Sequence, residues 1–256
     1  MFSATDYDRL QQIMEESPEK EQLLSRLLKS HQMTISTISH EIRNPLTLCY
    51  STLQLIESCY PEVHTFKYWN DLRQDMEYMK LLLEELSSYN NGERIQLETV
   101  DTNHFFKTLA LSFATSLIDT DIEFASKIEP NLPVIQIDVV KLKECLLNLL
   151  GNAKDAVSNI TPASDAVISF QVQTHEDNIK VVISDNGCGI PEEELPTIFE
   201  PFVTHKQGGT GLGLAIASRV AKAHGGTIEV SSVPGTSTSF TLTLPIEKNR
   251  KNKAND

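Results

Sequence analysis

The chain has 256 residues, a hydrophobic fraction of 40% and a formal net charge of −13. This length allows one large domain or two of ordinary size, and the apolar content excludes global disorder. So acidic a chain is a poor general ligand for nucleic acid, because the phosphate backbone repels it. No apolar stretch approaches the roughly 20 residues of a spanning helix, and no signal peptide opens the chain. We therefore expect a cytoplasmic protein without membrane insertion.

The first third of the chain has the pattern of long helices. Residues 1–29 are polar and helix-prone, and Pro18 favours a helix start near Ser17. From Glu21 to Tyr60 no glycine occurs, and apolar residues recur every three or four positions, which predicts one long helix that ends at Pro61. The members of this apolar seam are Ile35, Ile38, Ile42, Leu46, Cys49, Leu53 and Ile56.

A second apolar seam follows and stops at residues 90–92, Asn-Asn-Gly. Its members are Phe66, Trp69, Leu72, Met76, Met79, Leu83 and Leu86. Two long helices with a short connection predict an antiparallel hairpin, which buries little apolar surface alone. Two copies that pair as a four-helix bundle bury more, so we expect a homodimer.

The rest of the chain mixes helical and extended patterns. Helices are predicted at 102–117 and 138–158, and alternating apolar residues predict strands at 166–174, 178–184, 227–232 and 238–244. This mixture predicts an α/β sandwich over 99–247, and an α+β class for the whole chain. The basic residues at 248–256 are expected to form a disordered tail.

His40 is the first candidate for chemistry. It stands two residues from both Ile38 and Ile42, which places it opposite the apolar seam on the solvent side of the helix. Asn44 follows one turn later and shares this face. Imidazole is a competent nucleophile near neutral pH, and an adjacent carboxylate such as Glu41 can accept its second proton. A lone histidine of this kind is ordinary surface, so its surroundings decide the interpretation.

Three later motifs have the character of a nucleotide site. Asn148 and Asn152 stack one turn apart on a predicted helix, and an amide oxygen is an acceptable Mg²⁺ ligand. The strand that ends at Asp185 runs into a glycine turn, where a buried carboxylate can accept a hydrogen bond from the exocyclic amine of adenine. The glycine-rich run 208–213 opens a helix, whose backbone N–H groups can bind phosphate. Each motif alone is common, and the G-x-G-x-G spacing matches neither the dinucleotide fingerprint nor the P-loop.

Taken in order, these runs resemble the motifs of two-component sensor histidine kinases, in particular the soluble sporulation-type and nitrogen-regulation-type kinases. Residues 30–92 look like the dimerisation and histidine phosphotransfer domain, with His-Glu-Ile-Arg-Asn-Pro-Leu from position 40 as the H-box. Residues 1–29 would then form an N-terminal helical extension.

Residues 99–247 resemble the ATP-binding domain of the GHKL type, which histidine kinases share with gyrase, the Hsp90 chaperone and MutL. The N-box corresponds to 144–156, the G1 box to 181–190 and the G2 box to 208–216. The run 198–206 looks like the F-box and the ATP lid. Four such boxes in order, downstream of an H-box, are a specific combination.

The resemblance implies a role for each matching residue. His40 would be phosphorylated, Glu41 would serve as general base, and Asn44 would assist dephosphorylation of the partner in members that do so. ATP and Mg²⁺ are implied as cofactors, with Asn152 as the metal ligand and Asp185 on the adenine. The other predicted cofactor-binding residues are Asn148, Gly187, Gly189, Lys206, Gly209, Gly211, Leu212, Gly213 and Thr238.

Two positions depart from the patterns of this fold. Asn148 stands where the gyrase and Hsp90 branches place a water-activating glutamate, and an amide cannot act as that base, so we expect slow ATP hydrolysis. Kinases often show Gly-Thr-x-Phe before the last strand, whereas residues 237–240 read Ser-Thr-Ser-Phe, which leaves the role of Thr238 open.

The resemblance implies ATP-dependent autophosphorylation of His40, followed by phosphoryl transfer to an aspartate on the receiver domain of a separate response regulator. It also allows dephosphorylation of that regulator. Two alternatives remain at this point: a catalytically silent docking or phosphotransfer scaffold, and a serine kinase of the anti-sigma type, which would need neither His40 nor the helical hairpin.

Overall fold

The computed structural model describes residues 17–92, 94–158, 160–162, 165–206 and 208–246. The chain divides into two units. The helical unit comprises the chain up to Asn91 together with Lys206–Thr210, and the sandwich unit comprises 92–205 and the chain from Gly211 onward. Among the described residues, no helix has both the length and the apolar character needed to cross a membrane. The predicted basic tail, 248–256, lies outside the described residues.

Helix α1 is a single helix of 42 residues, Pro18–Cys59. The Ser17 side chain caps it by accepting a hydrogen bond from the Glu19 N–H at 3.2 Å, and Pro18 occupies the first helical position as predicted. The helix continues through Pro45. The predicted boundary between residues 29 and 30 therefore falls inside one continuous helix.

A short 3₁₀ helix, Pro61–Thr65, turns the chain into helix α2, Trp69–Asn91. Phe66, a member of the predicted second seam, lies before α2 in extended backbone and is exposed. The two helices pack through a core of Leu46, Met76 and Leu83. This contact makes the predicted helical hairpin.

Large apolar side chains remain exposed beside that core. Ile42 lies one turn before Leu46 on α1, and Met79 lies one turn before Leu83 on α2, yet they are 49% and 42% exposed. Ile38 and Leu72 continue the same rows and are 52% and 45% exposed. We call these four residues the apolar stripe. A single hairpin therefore covers only part of the seams that the sequence predicts.

Among its described residues, the sandwich unit contains seven strands and three helices. The strands are β1 (Glu98–Val100), β2 (Glu123–Ile128), β3 (Ile135–Ile137), β4 (Val167–His175), β5 (Asn178–Asp185), β6 (Thr227–Val233) and β7 (Ser237–Pro245). The helices are α3 (Thr102–Thr115), α4 (Val139–Val157) and α5 (Gly213–Ala223).

The main sheet has the order β2-β4-β5-β7-β6, and β1 pairs with β3 in a separate two-stranded sheet. Only β2 and β4 pair in parallel within the main sheet. Burial alternates along β5 and β7, so each strand has one face toward the core and the other less buried. Helices α4 and α5 pack together and contact this sheet. The result is the predicted α/β sandwich.

Helix α4 is held at both its start and its middle. Asp138 caps it by accepting from the Lys141 N–H at 3.0 Å, and its other oxygen accepts from the Gln96 N–H at 2.8 Å. Burial raises the pKa of Asp138, but these two hydrogen bonds, with the nearby His224 and Lys141 charges, hold it below the ordinary value. The buried Cys145 thiol packs against the Ala217 carbonyl of α5, and burial raises its pKa to about 12. Cys145 is thus a packing residue.

Candidate nucleotide-binding site

One face of helix α4 connects two glycine loops. Asn148, Asn152 and Ala156 stand four residues apart and stack along this face. The Asn148 amide donates to the carbonyl of Gly213 at the start of α5, at 3.2 Å. The Ala156 carbonyl accepts from the Cys188 N–H in the turn after β5, at 3.3 Å. The half-buried Asn152 therefore lies on α4 between the attachment points of both loops.

The turn after β5 is clamped on two sides. A Cβ atom on Gly187 would lie 2.5 Å from the Ala156 carbonyl oxygen of α4. Gly189 has φ of 67°, and a Cβ atom there would run into the carbonyl of Val233 at the end of β6. Contacts this close exclude a side chain at either glycine without movement of the backbone. The turn is therefore held tightly at the end of β5.

Asp185 places a carboxylate on the core side of the sheet. It continues the row of buried residues Ile179, Val181 and Ile183 along β5 and is only 6% exposed. One carboxylate oxygen accepts from the Gly187 N–H at 2.9 Å. The pairing register of β5 and β7 sets Thr238, which is also buried, directly opposite Asp185. A charged group at such a position needs hydrogen-bond partners, and it is a typical feature of a ligand site.

The start of helix α5 forms the second loop. Gly211 has φ of 71°, and a Cβ atom on it would lie 2.7 Å from the carbonyl carbon of Phe202. The Phe202 N–H donates to the Gly211 carbonyl at 2.9 Å, which closes the loop between them. Leu212 is fully buried and anchors this end of α5, which has no side-chain cap. The first N–H groups of a helix attract anions, so this end of α5 suits a phosphate group.

The predicted phosphoacceptor residues lie in the helical unit, on α1. His40, Glu41 and Asn44 are all exposed, as predicted for His40, whereas the neighbouring Ser39, which is not a member of the predicted seam, is buried. Arg43 is half-buried, and its guanidinium donates to the Leu83 carbonyl of α2 at 3.4 Å. The H-box thus presents its histidine, its carboxylate and its amide to solvent.

The structure brings together most of the predicted nucleotide residues within the sandwich unit. They are Asn148, Asn152, Asp185, Gly187, Gly189, Gly211, Leu212, Gly213 and Thr238. Lys206 and Gly209 lie in the segment Lys206–Thr210, which groups with the helical unit, so their place at the nucleotide site stays a prediction.

Sequence reasoning did not single out two residues that shape this site. Ala156 contacts the turn after β5. It lies four residues after Asn152, so the helical period could have placed it on the same face of α4. Ser232 on β6 bonds to both the turn and β7, and only the pairing register reveals it.

Residues 137–248 match the family model described as histidine kinase-, DNA gyrase B- and HSP90-like ATPase. The matched segment contains both glycine loops, Asn152 and Asp185. The chain is a homologue of sensor histidine kinases. Its similarity to them extends beyond the ATPase domain into the helical unit, as individual relatives show.

Among the relatives of this histidine kinase homologue, the signal transduction histidine-protein kinase AtoS of Escherichia coli K12 is 32% identical over 210 residues. That alignment covers 82% of this chain and 34% of AtoS. The sensory histidine kinase/phosphatase NtrB of Vibrio alginolyticus is 28% identical, with 89% of this chain and 68% of NtrB covered. The chain therefore spans about a third of AtoS and about two thirds of NtrB.

Solved histidine kinases share the fold of this histidine kinase homologue. The crystal structure of full-length ShkA in complex with AMPPNP matches 83% of this chain and 45% of ShkA, with a TM-score of 0.69 and 25% identity. The Acinetobacter baumannii histidine kinase AdeS matches 82% of this chain and 98% of AdeS, with a TM-score of 0.55. At 20% identity, the AdeS match supports the fold alone.

Proposed function

We propose that this chain is a protein-histidine kinase that transfers the γ-phosphoryl group of ATP to His40, and from there to an aspartate of a separate response regulator. One observation carries the proposal: an exposed His-Glu pair in an H-box and a GHKL-type nucleotide site occur on the same chain. The relatives named histidine kinases, and the AMPPNP complex of ShkA, support both halves.

The sandwich unit has the features that an adenine nucleotide needs. The buried carboxylate of Asp185 can accept from the adenine amine, and a guanine would place an acceptor there instead. Gly187 and Gly211 stand where the chain's own backbone leaves no space for a side chain, which keeps both glycine loops tightly packed beside the site. The N-terminus of α5 suits the phosphates. When bound, Mg²⁺ would neutralise phosphate charge, and the Asn152 amide oxygen suits it as a ligand.

The chemistry at His40 follows from its own ring and its neighbour. One ring nitrogen forms a bond to the γ-phosphorus as the bond between that phosphorus and ADP breaks. The other nitrogen then releases its proton, and Glu41 accepts it. Asn148 is engaged with Gly213 and carries no carboxylate, so it cannot activate water for hydrolysis. Competing loss of the phosphoryl group to water is therefore expected to be slow.

The phosphoryl group then leaves His40 for the regulator's aspartate. The exposed Asn44 amide, one turn from His40, is proposed to orient a water molecule that hydrolyses the phosphoryl group from the regulator. The name of NtrB, a kinase/phosphatase, supports this second activity. Replacement of Asn44 by alanine should slow regulator dephosphorylation in a phosphatase assay, while label on His40 persists.

The stability of the label tests the reaction class. After incubation with γ-labelled ATP and Mg²⁺, the chain should carry a label that acid removes and alkali leaves, because phosphohistidine is a phosphoramidate. An acid-stable label on a partner protein would instead indicate the anti-sigma type of serine kinase. Absence of any label, with nucleotide still bound, would indicate the docking scaffold.

A homodimer is proposed on the basis of the apolar stripe. Burial of four large side chains that are now about half exposed contributes several kcal/mol, since full burial of each contributes about 1.5–3 kcal/mol. The double variant Ile38→Asp, Met79→Asp should therefore sediment with the mass of one chain, where the wild type has the mass of two. Leu48→Asp is the matched control, because Leu48 is 70% exposed and lies two residues from the buried Leu46, on the opposite side of α1. A monomeric wild type would contradict the proposal.

A further inference from the structure

A row of polar side chains crosses three neighbouring strands beside the turn after β5. Asp185 on β5 lies opposite Thr238 on β7, and Thr238 lies opposite Ser232 on β6. Residues directly opposite each other in antiparallel strands project from the same face, with Cβ atoms about 4.5–5.5 Å apart. The carboxylate and the two hydroxyl groups therefore follow one another across the sheet.

The partners of Ser232 determine where its hydrogen points. Its hydroxyl oxygen lies 2.8 Å from the Ile190 nitrogen, 2.9 Å from the Ser237 carbonyl oxygen and 3.0 Å from the Thr238 hydroxyl oxygen. A backbone N–H can only donate and a carbonyl can only accept, while a hydroxyl has one hydrogen. Ser232 therefore accepts from Ile190 and donates to Ser237.

The donor in the third hydrogen bond, between Ser232 and Thr238, can then be assigned. Because the hydrogen of Ser232 is committed to Ser237, the hydrogen between Ser232 and Thr238 comes from Thr238. The Thr238 hydroxyl thereby keeps only its lone pairs for any other group. Asp185, as a carboxylate, is likewise an acceptor. Side by side, these two residues present acceptors and no donor.

We propose that Ser232 is a positioning residue for nucleotide specificity, which fixes Thr238 as a hydrogen-bond acceptor and so favours adenine over guanine. The inference rests on the proposed function, in which Asp185 takes the adenine. The exocyclic amine of adenine has two hydrogens to donate to these acceptors directly, whereas guanine has a carbonyl at that position. Two acceptors that face a carbonyl remain unpaired, which is costly in a buried site.

Removal of the Ser232 hydroxyl should reduce the preference for ADP over GDP rather than weaken the binding of both nucleotides. In Ser232→Ala the Thr238 hydroxyl is released and can turn its hydrogen toward the ligand, so a guanine carbonyl gains a donor. ADP should bind about tenfold more weakly, and GDP should bind equally well or better. Calorimetric titration of the full chain with ADP and with GDP gives the two Kd values, and neither nucleotide can label the protein during the measurement.

Two variants serve as controls for the ratio of the Kd for GDP to the Kd for ADP. Ser232→Thr keeps a hydroxyl at the same position and should restore the wild-type preference for ADP. Ser231→Ala removes a neighbouring, exposed hydroxyl from the other face of β6 and should leave the preference unchanged. Thermal unfolding of each variant confirms its fold. If Ser232→Ala does not fold, Thr238→Val against Thr238→Ser tests the same acceptor, and only the valine should lose the preference.

Each outcome separates a positioning role from a structural one. A residue that merely supports the fold would weaken ADP and GDP by the same factor and leave their ratio unchanged, which would overturn the inference. If the wild type binds ADP selectively but the ratio survives in Ser232→Ala, this inference fails while the proposed function stands. If the wild type binds neither nucleotide, both fail.

Discussion

The variant His40→Gln is expected to incorporate no label from γ-labelled ATP, a loss of at least about a thousandfold. Glutamine has a similar size and remains polar, but its amide nitrogen is not a nucleophile, so no bond to phosphorus forms. The nucleotide residues lie on other elements, so the Kd for ADP should stay within about twofold of the wild-type value. Labelling and calorimetry on the same preparation therefore separate loss of the acceptor from loss of the site.

His31→Gln is the matched control for this prediction. His31 is also exposed and lies on α1, nine residues before His40, outside the H-box. This variant should label at the wild-type rate. If His40→Gln retains an acid-labile label, the phosphoacceptor is another histidine, and the role assigned to the H-box is wrong.

Replacement of Asp185 by asparagine is expected to weaken ADP binding about 10- to 100-fold. The amide oxygen can still accept from the Gly187 N–H, so the turn after β5 keeps its hydrogen bond. The new NH₂ group, however, is a donor that faces the donor amine of adenine, and the charge that strengthened the contact is lost. The rate of His40 labelling at low ATP concentration should fall by the same factor.

Asp121→Asn controls for the change of charge, because Asp121 is exposed and lies between α3 and β2. It should leave the Kd for ADP unchanged. Both variants are compared with the wild type by thermal unfolding. An Asp185→Asn variant that folds and binds ADP as tightly as the wild type would show that the adenine lies elsewhere.

The sequence predicted well those features that local patterns determine. The helical period, the Ser17-Pro18 start and the alternation along β5 each depend on neighbours within one element, and the structure agrees within a few residues. The motifs also led to the sensor histidine kinases, of which the chain is a homologue, because the order of the motifs along the chain is specific. Exposure of His40 followed from its position opposite the apolar seam, two residues from both Ile38 and Ile42.

Features that depend on residues far away in the sequence could not be predicted from local patterns. Strand β2 pairs in parallel with β4, some forty residues later, and its sequence contains charged residues that obscure the alternation. Ile38 and Ile42 fall on a clear seam, yet one hairpin has too few opposing residues to cover them. The role of Ser232 depends on the register of β6 with β7, which two strand sequences alone do not fix.

Because α1 is one continuous helix, the direction in which His40 points around the helix axis is fixed relative to Ser17. At 1.5 Å per residue, its 42 residues measure about 63 Å, and His40 lies roughly 33 Å from the Pro18 end. Each residue inserted into α1 ahead of His40 turns the imidazole by about 100° relative to Ser17, whereas seven residues return it within about 20°. The number of residues between Ser17 and His40 therefore determines which way the imidazole faces, independently of which residues they are.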